Sequence, residues 1–453
     1  MSHDFHQRRA GVLLHPTSFP SGTLRDGAPW LDFMEAAGLT VWQMLPLGVP
    51  LADRSPYQCL SAFAVDPALL HELPPPREDD PEFVAWRRDQ AHWLQDYALF
   101  RCIKKQQHGR PWYLWPEPLK RREPDALEAV KKAQPDLLLQ LEWTQFQLWH
   151  QWRRLREEAH RRGIRFFGDM PIFVAHDSAD VWTRPRRFLL DEDGRPFWVA
   201  GVPPDYFSET GQRWGNPHYD WEYHRAEGFR WWIDRLRTHL EWFDLVRIDH
   251  FRGLEAVWMI PADAETAEHG HWQKVPGDEL LATLQRELGT LPLVAEDLGT
   301  ITPEVRALKD KYGLPGMAIL QFAFDQFEDN PNKPQNIGPN TVVYTGTHDN
   351  DTTRGWFDAL SPEMQHHVRS VLGIDDHQDV VQAMIRTAFQ TRAALAMIPL
   401  QDFLGLGSEA RMNVPGTTEG NWRWRFRWAQ LSRPGFTDHI RDLVHDSRRA
   451  PIP

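Results

Sequence analysis

The sequence predicts an α/β protein, a (β/α)8 TIM barrel with inserted subdomains. Two observations support this fold class. First, eight short apolar segments bounded by Gly, Pro or Asp recur along the 453 residues, and most are apolar on both faces, as strands of a parallel sheet are. Second, amphipathic helical patterns lie between several of these segments. Strands that alternate with helices predict βαβ units and therefore a parallel barrel.

The predicted elements follow one another with unequal spacing. The strands are predicted at 10–16, 41–47, 164–174, 243–250, 291–299, 316–324, 341–351 and 397–406. The clearest helical patterns cover 143–163, 228–240 and 380–396. We predict a single catalytic barrel over residues 1–453 with a mostly helical insertion at about 66–142 and a loop-rich, aromatic insertion at about 175–225. Long loops in a compact domain are usually functional, so the second insertion is expected to serve the site.

The amino-acid composition limits the possible binding partners and the cellular compartment of the protein. Lys and Arg number 51 against 63 Asp and Glu, a net charge of −12 without a basic block, which argues against binding to nucleic acid or to an anionic membrane. No apolar run approaches the about 20 residues of a membrane span. Only Cys59 and Cys102 occur, which favours a reducing compartment. We therefore expect a soluble cytoplasmic protein whose partner is small or neutral.

Acidic residues stand where several predicted strands end, and barrel enzymes place their catalytic groups there. These acids are Asp169, Asp249, Glu296, Asp297, Asp349 and Asp351. Arg247 lies two residues before Asp249 on the same side of the strand, and we expect it to keep Asp249 ionised. Asp249 and Glu296 follow neighbouring strands about 4.8 Å apart, close to the roughly 5–5.5 Å between the two carboxyl groups of a retaining glycosidase. The alternative is that these acids only cap helices or bind backbone.

Seven longer motifs occur between about residues 9 and 426. In chain order they read LHPTSFPSG, SPYQCLSAFA, PPDYFSETGQRWGNPHYDW, RIDHFRGLEA, VAEDLGTITPEV, YTGTHDNDTTRGWF and GSEARMNVPGTTEGNWRWR. Together they resemble, in the expected order, the 4-α-glucanotransferases called amylomaltases or disproportionating enzymes. The resemblance implies an α-amylase-like barrel. It also implies transfer of a segment of an α-1,4-glucan to the 4-hydroxyl of glucose or of another α-1,4-glucan, by a retaining double displacement.

The same resemblance implies roles for nine residues. Asp249 resembles the family nucleophile, Glu296 its general acid/base and Asp349 its transition-state stabiliser. The positions that resemble substrate-binding ones are Tyr57, Arg247, His348, Asp205, Trp214 and Asn216. The expected partners are maltooligosaccharides, starch or glycogen fragments, and glucose. No cofactor is implied, and neither HDND at 348–351 nor HGH at 269–271 has the spacing of a metal site on a defined element.

One segment departs from the family pattern. Members often carry GYGDSPY or GDGDSPY, whereas this chain has VPLADRSPY, with Ala52 and Arg54. The difference bears on donor-side affinity and preferred chain length.

The aromatic part of the second insertion, 197–221, is predicted to form a lid and a stacking platform. Its aromatic residues are Phe197, Trp198, Tyr206, Phe207 and Trp214. The alternative is that these rings pack the insertion onto the barrel. Two other functions stay open: an α-amylase-type hydrolase with the same three acids, and a non-catalytic glucan-binding protein on a decayed barrel. The complete PPDYFSETGQRWGNP loop argues against the first, and the presence of all three acids together with Arg247 argues against the second.

Overall fold

Strands and helices alternate along most of the chain. The computed structural model describes residues 7–205 and 208–450. The strands of this part are β1 (Arg9–Leu13), β2 (Val41–Gln43), β3 (Arg165–Met170), β4 (Trp198–Val202), β5 (Gln212–Pro217), β6 (Leu245–Ile248), β7 (Ala256–Pro261), β8 (His271–Lys274), β9 (Leu293–Ala295), β10 (Gly316–Ile319), β11 (Thr341–Tyr344) and β12 (Leu395–Pro399). Its α-helices are α1 (Gly27–Ala36), α2 (Pro81–Asp89), α3 (Leu94–Gln106), α4 (Glu117–Lys120), α5 (Pro124–Ala133), α6 (Pro135–Arg161), α7 (Ala179–Thr183), α8 (Trp221–Ala226), α9 (Arg230–Trp242), α10 (Gly277–Leu288), α11 (Pro303–Lys311), α12 (Thr353–Asp358), α13 (Pro362–Leu372), α14 (Val380–Gln390), α15 (Leu400–Phe403), α16 (Trp428–Leu431) and α17 (Phe436–Asp446).

Eight of the strands form one parallel sheet in the order β10-β11-β12-β1-β2-β3-β6-β9. Its two edge strands approach each other, because the Ala295 N–H donates to the Pro315 carbonyl at 2.8 Å. The Met317 N–H also donates to the Asp297 carboxylate at 2.8 Å. The sheet thus curls into a nearly closed barrel, which confirms the predicted fold class.

The barrel interior is filled by apolar side chains from alternate strand positions, as the period of two requires. The cluster consists of Val41, Phe167, Leu245, Val294, Met317, Ile319, Val342, Tyr344, Leu395 and Met397. Glycine is required at Gly11 on β1, where a Cβ would lie 2.6 Å from the Met397 side chain and 2.5 Å from the Val41 carbonyl. The strands are therefore fixed by packing on both faces.

The predicted boundary between the last helix and the last strand of the barrel was wrong. The helix predicted over 380–396 ends at Gln390, and β12 begins at Leu395 rather than at residue 397. The alanine-rich stretch between them has high helix propensity, but Leu395 pairs with both β1 and β11, so sheet pairing overrides local preference. The end of the predicted strand, 400–403, is instead helix α15.

Both insertions contain regular structure. Segment 66–142 holds helices α2 to α5 and the start of α6. Segment 175–225, expected to be rich in loops, also holds α7, α8, β4 and β5. These two strands join β7 and β8 in an antiparallel sheet ordered β5-β4-β7-β8, and the sequence had not predicted the last two. Because β7 begins seven residues after Asp249, this second sheet adjoins the carboxyl ends of the barrel strands.

None of the described helices is both long enough and apolar enough to cross a membrane.

Candidate active site

A buried guanidinium joins two carboxylates where β3 and β6 end. Asp169 and Arg247 are paired in register across these strands. The Arg247 Nη1 donates to both Asp169 oxygens at 2.9 and 2.8 Å, and its Nη2 lies 3.1 Å from the Asp249 Oδ1. The Arg247 side chain is only 5% exposed, so these charges interact with little screening by water. Arg247 thus holds the Asp249 carboxylate at a fixed place on the rim.

Asp249 and Glu296 are neighbours because their strands are in register. Ile248 pairs with Ala295, and each acid is the next residue. The Glu296 Oε2 accepts the His250 N–H at 2.8 Å, and its Oε1 accepts the Leu298 N–H at 3.0 Å. Adjacent strands lie about 4.8 Å apart, so the arrangement suits a nucleophile and an acid of retaining chemistry.

Burial governs the protonation of this pair. It raises the pKa of the Asp249 carboxyl, and Arg247 opposes it. It also raises the pKa of the Glu296 carboxyl, against the opposing effects of Arg247 and of the Leu298 and His250 N–H groups. Arg247 therefore favours the ionised Asp249 as expected, but burial outweighs it. Both carboxyl groups therefore retain their protons to a higher pH than an exposed carboxyl group does.

Residues after β11 form the facing wall. The His348 and Tyr57 rings are stacked, with centroids 5.3 Å apart and planes at 15°. The Tyr57 hydroxyl donates to Asp169 at 2.7 Å, which ties this wall to Arg247 and its carboxylates. The Asp349 Oδ1 accepts the Asn413 amide at 2.7 Å and lies 3.4 Å from the His348 Nε2. Burial lowers the pKa of His348, so its imidazole is neutral near pH 7.

A groove with a volume of about 380 Å³ runs over these residues. Its lining includes Tyr57, Trp214, Asn216, Asp249, His348 and Asp349. Arg247 and Glu296 adjoin it through the contacts just described. Asp205 is not among the residues that line it, and its carboxylate instead accepts the Ser208 N–H at 2.9 Å. Within 7–205 and 208–450, no group of three or more His, Cys, Asp or Glu is placed to hold a metal ion.

Asn216 is held by the protein through both ends of its amide. Its nitrogen donates to the Val174 carbonyl at 2.8 Å, and its oxygen accepts the Gln58 amide at 2.9 Å. Asn216 is also only 4% exposed. It therefore positions Gln58 at the groove.

The predicted aromatic platform is divided between the groove and the second sheet. The Trp214 ring stands edge-on to His250, with centroids 4.9 Å apart, and faces the groove. Trp198 packs on His271, whereas Phe197 is exposed. Tyr206 and Phe207 lie outside the described residues.

Comparison with known proteins identifies the family. The sequence model described as 4-alpha-glucanotransferase matches residues 12–77 and 71–431. This chain belongs to the 4-alpha-glucanotransferase family. It is 45% identical over 480 residues to the 4-alpha-glucanotransferase of Synechocystis sp., covering 94% of this chain and 95% of that protein. It is 46% identical over 497 residues to the Thermus thermophilus enzyme of the same name, covering 98% of this chain and 99% of that protein.

The fold agrees with that assignment. The structure of an amylomaltase from Streptococcus agalactiae in complex with acarbose superposes with a TM-score of 0.93 at 32% identity, covering 98% of this chain and 100% of that chain. The resemblance stated from the motifs is thereby confirmed as family membership.

Three residues that line the groove, and one carboxylate beside it, were not identified as site residues from the sequence. Asp169 was noted only as an acid at a strand end, although its strand neighbour is Arg247. Gln58, Asn413 and Trp422 lie in motifs that carried the resemblance, but nothing in their spacing assigned them to the groove. The signal for Asp169 was available, because a buried acid in register with a buried arginine needs that partner. The other three meet the site only through tertiary structure.

Proposed function

We propose that this chain transfers a segment of an α-1,4-glucan to the 4-hydroxyl of glucose or of another α-1,4-glucan, by a retaining double displacement. The observation that carries the proposal is that Asp249 and Asp349 line one groove, with Glu296 and the buried Arg247 directly beside Asp249. Membership of the 4-alpha-glucanotransferase family supports the same reaction. The partners are α-1,4-glucans and glucose.

The first step forms a covalent intermediate. Glu296 gives its proton to the glycosidic oxygen while the Asp249 carboxylate attacks the anomeric carbon. The bond between this carbon and the leaving oxygen breaks, and a β-linked glucosyl ester forms on Asp249. Because Arg247 contacts Asp249 directly, negative charge is stabilised on Asp249, and Glu296 is the member of the pair that carries the proton.

The second step restores the α configuration. Glu296, now ionised, accepts the proton of the incoming 4-hydroxyl, and that oxygen attacks the anomeric carbon and displaces Asp249. Two inversions give net retention. The two backbone N–H groups that reach Glu296 stabilise its ionised form during this half of the cycle.

Asp349 holds the reacting sugar. Its carboxylate, oriented by Asn413, hydrogen-bonds ring hydroxyls, and these contacts strengthen as the ring flattens towards the oxocarbenium-like transition state. The stacked Tyr57 and His348 rings give the sugar an apolar wall.

Transfer also requires that a sugar compete with water for the ester. Trp214 supplies an apolar surface over the groove, and Asn216 fixes the polar Gln58 beside it. Such a wall excludes water and presents the acceptor in a reactive orientation.

We further propose that residues 1–453 act as one catalytic domain with insertions at about 66–142 and 175–225, and that it works in the cytoplasm. Both Cys59 and Cys102 are free thiols, which is consistent with a reducing compartment.

Incubation of the purified protein with maltotriose alone tests the reaction. We expect glucose and a ladder of longer maltooligosaccharides, with the number of reducing ends constant. Shorter products only, with a rising number of reducing ends, would identify a hydrolase and overturn the proposal.

A further inference from the structure

An exposed tryptophan stands on the second sheet, outside the groove described above. Trp272 on β8 is 40% exposed, although tryptophan is among the largest apolar side chains. It is in register with Trp258 of β7, and the two ring centroids are 5.2 Å apart. The strand pair therefore fixes the Trp272 ring while leaving part of it open to solvent.

Arg252 stacks on this ring. Its guanidinium carbon lies 4.0 Å from the centroid of the Trp272 ring, so one ring face is covered by a cation. Arg252 Nε and Nη1 are buried and have no hydrogen-bond partner among residues 7–205 and 208–450. The guanidinium is thus held by the stack on Trp272 rather than by a hydrogen bond to a protein carboxylate.

The Trp272–Arg252 pair is continuous with the catalytic rim. Arg252 follows Asp249 by three residues, a Cα separation of at most about 11 Å. The Phe251 N–H, between them, donates to the Glu296 carbonyl at 3.1 Å. The pair therefore lies a few sugar units from the site of bond exchange.

The position of Trp272 and Arg252 on the rim determines whether donor sugars or acceptor sugars can reach them. Glu296 protonates the leaving oxygen and later accepts the proton of the incoming hydroxyl. The leaving glucan and the acceptor therefore extend from the side of Glu296. An acceptor longer than one sugar needs a surface on that side. The exposed tryptophan has the chemistry of such a surface, because an indole stacks on the apolar face of a sugar ring.

We propose that Trp272 and Arg252 form an outer acceptor subsite. The open part of the Trp272 ring stacks on an acceptor sugar beyond the first, and Arg252 fixes the orientation of the indole. This subsite sets a preference for longer acceptors, and it rests on the proposed transferase function.

The test separates acceptor binding from donor binding. α-Maltosyl fluoride serves as the donor, since its leaving fluoride makes no use of an acceptor subsite. Initial rates of transfer are measured for glucose, maltose, maltotriose and maltotetraose with the wild type and with Trp272→Ala. We expect the variant to raise the KM for maltotetraose by about fivefold, in line with the strength of ring stacking, without changing kcat or the KM for glucose. Trp272→Phe should restore most of the preference.

Trp149→Ala is the matched control. Trp149 carries its own stacked guanidinium, with the Arg153 Cζ 4.8 Å from the ring centroid, but on the outer helix α6. This control should leave every KM unchanged. A Trp272→Ala variant whose KM values match the wild type for all four acceptors would overturn the subsite, as would an equal rise for glucose and maltotetraose. A change from dimer to monomer in light scattering would overturn it too, because a second copy would then cover Trp272. If the wild type releases only maltose, the proposed transferase function fails as well.

Discussion

The two ends of the barrel both bury an arginine but give it different partners. At the carboxyl ends of the strands, Arg247 bonds the carboxylates of Asp169 and Asp249. At the amino ends, the fully buried Arg449 donates, among the residues that the structure describes, only to backbone carbonyls, at 2.8 to 3.3 Å. Those carbonyls belong to Phe389, Thr391, Ala394 and Arg9.

The difference in partners separates a catalytic role, that of Arg247, from a structural role, that of Arg449. Neutral carbonyls satisfy the N–H groups of Arg449 and tie the C-terminal segment to the starts of β1 and β12, without changing the charge of any acid. By contrast, the positive charge of Arg247 lowers the pKa of the neighbouring Asp249 carboxyl, against the effect of burial. An arginine therefore stabilises the fold at one end of the barrel and influences the protonation of the reacting groups at the other. Substitution of Arg449 should lower stability, whereas substitution of Arg247 should lower activity.

Asp249→Asn should have the largest effect. The amide cannot form the glucosyl ester, so kcat should fall by at least about 10⁴-fold, within the range that removal of a catalytic nucleophile causes. Transfer from maltotriose measures it, and circular dichroism checks the fold. Asp177→Asn, which alters a carboxylate paired with Lys104 away from the groove, should stay active. Turnover by Asp249→Asn near the wild-type rate would refute its role as the nucleophile.

Arg247→Lys should be the next most severe change. An ammonium group keeps the charge but cannot bond Asp169 and Asp249 together in the planar geometry that guanidinium provides. We expect kcat to fall about 100-fold, corresponding to about 3 kcal/mol, at the lower end of the cost of breaking a buried ion pair. Steady-state kinetics would detect this. A variant with wild-type kcat would mean that Arg247 is only structural.

Arg449→Met should reverse this pattern. Removal of the guanidinium leaves buried carbonyls without donors, which should lower the free energy of unfolding by about 1–3 kcal/mol while kcat at 25 °C is unchanged. Urea titration measures the loss. Arg8→Met is the milder comparison, because Arg8 donates to two of the same carbonyls and Arg449 still satisfies them. Loss of kcat in folded Arg449→Met would remove the distinction between the two ends.

The pH profile should show the smallest effect. Burial raises the pKa of Glu296, so the proton that Glu296 donates is present below this raised pKa and is lost as pH rises through it. The alkaline limb of kcat/KM should therefore lie above the ordinary carboxyl range. Asp169→Asn removes a negative neighbour that raises the pKa of Asp249, so the acidic limb, where Asp249 ionises, should move to lower pH. An acidic limb that stays in place or moves to higher pH would disprove this influence of Asp169 on Asp249.

The centre of the catalytic rim could be predicted from sequence because Asp249 and Glu296 each directly follow a short apolar strand. Register then brings Asp249, Glu296 and Arg247 together, and strand spacing sets the distance between the acids. Asp349 was noted as an acid at the end of a predicted strand, and the family resemblance assigned its role as transition-state stabiliser.

The second sheet could not be predicted, since all four residues of β8 are exposed and no apolar alternation marks them. Likewise, Gln58 and Asn216 are 158 residues apart in sequence, and only the packing of β5 against the loop after β2 joins them. The local sequence pattern therefore predicted the acids at the ends of the barrel strands. It did not predict residues such as Gln58 and Asn216, which the insertions bring together.

Trapping of the covalent intermediate tests the central claim most directly. Glu296→Gln is mixed with α-maltosyl fluoride, which needs no acid to leave, so the first step proceeds while the second lacks its base. Peptide mass spectrometry should find one maltosyl unit esterified to Asp249, and none in a Glu296→Gln/Asp249→Asn double variant. A label on another residue, or free maltose released without any labelled protein, would contradict the proposed double displacement through Asp249.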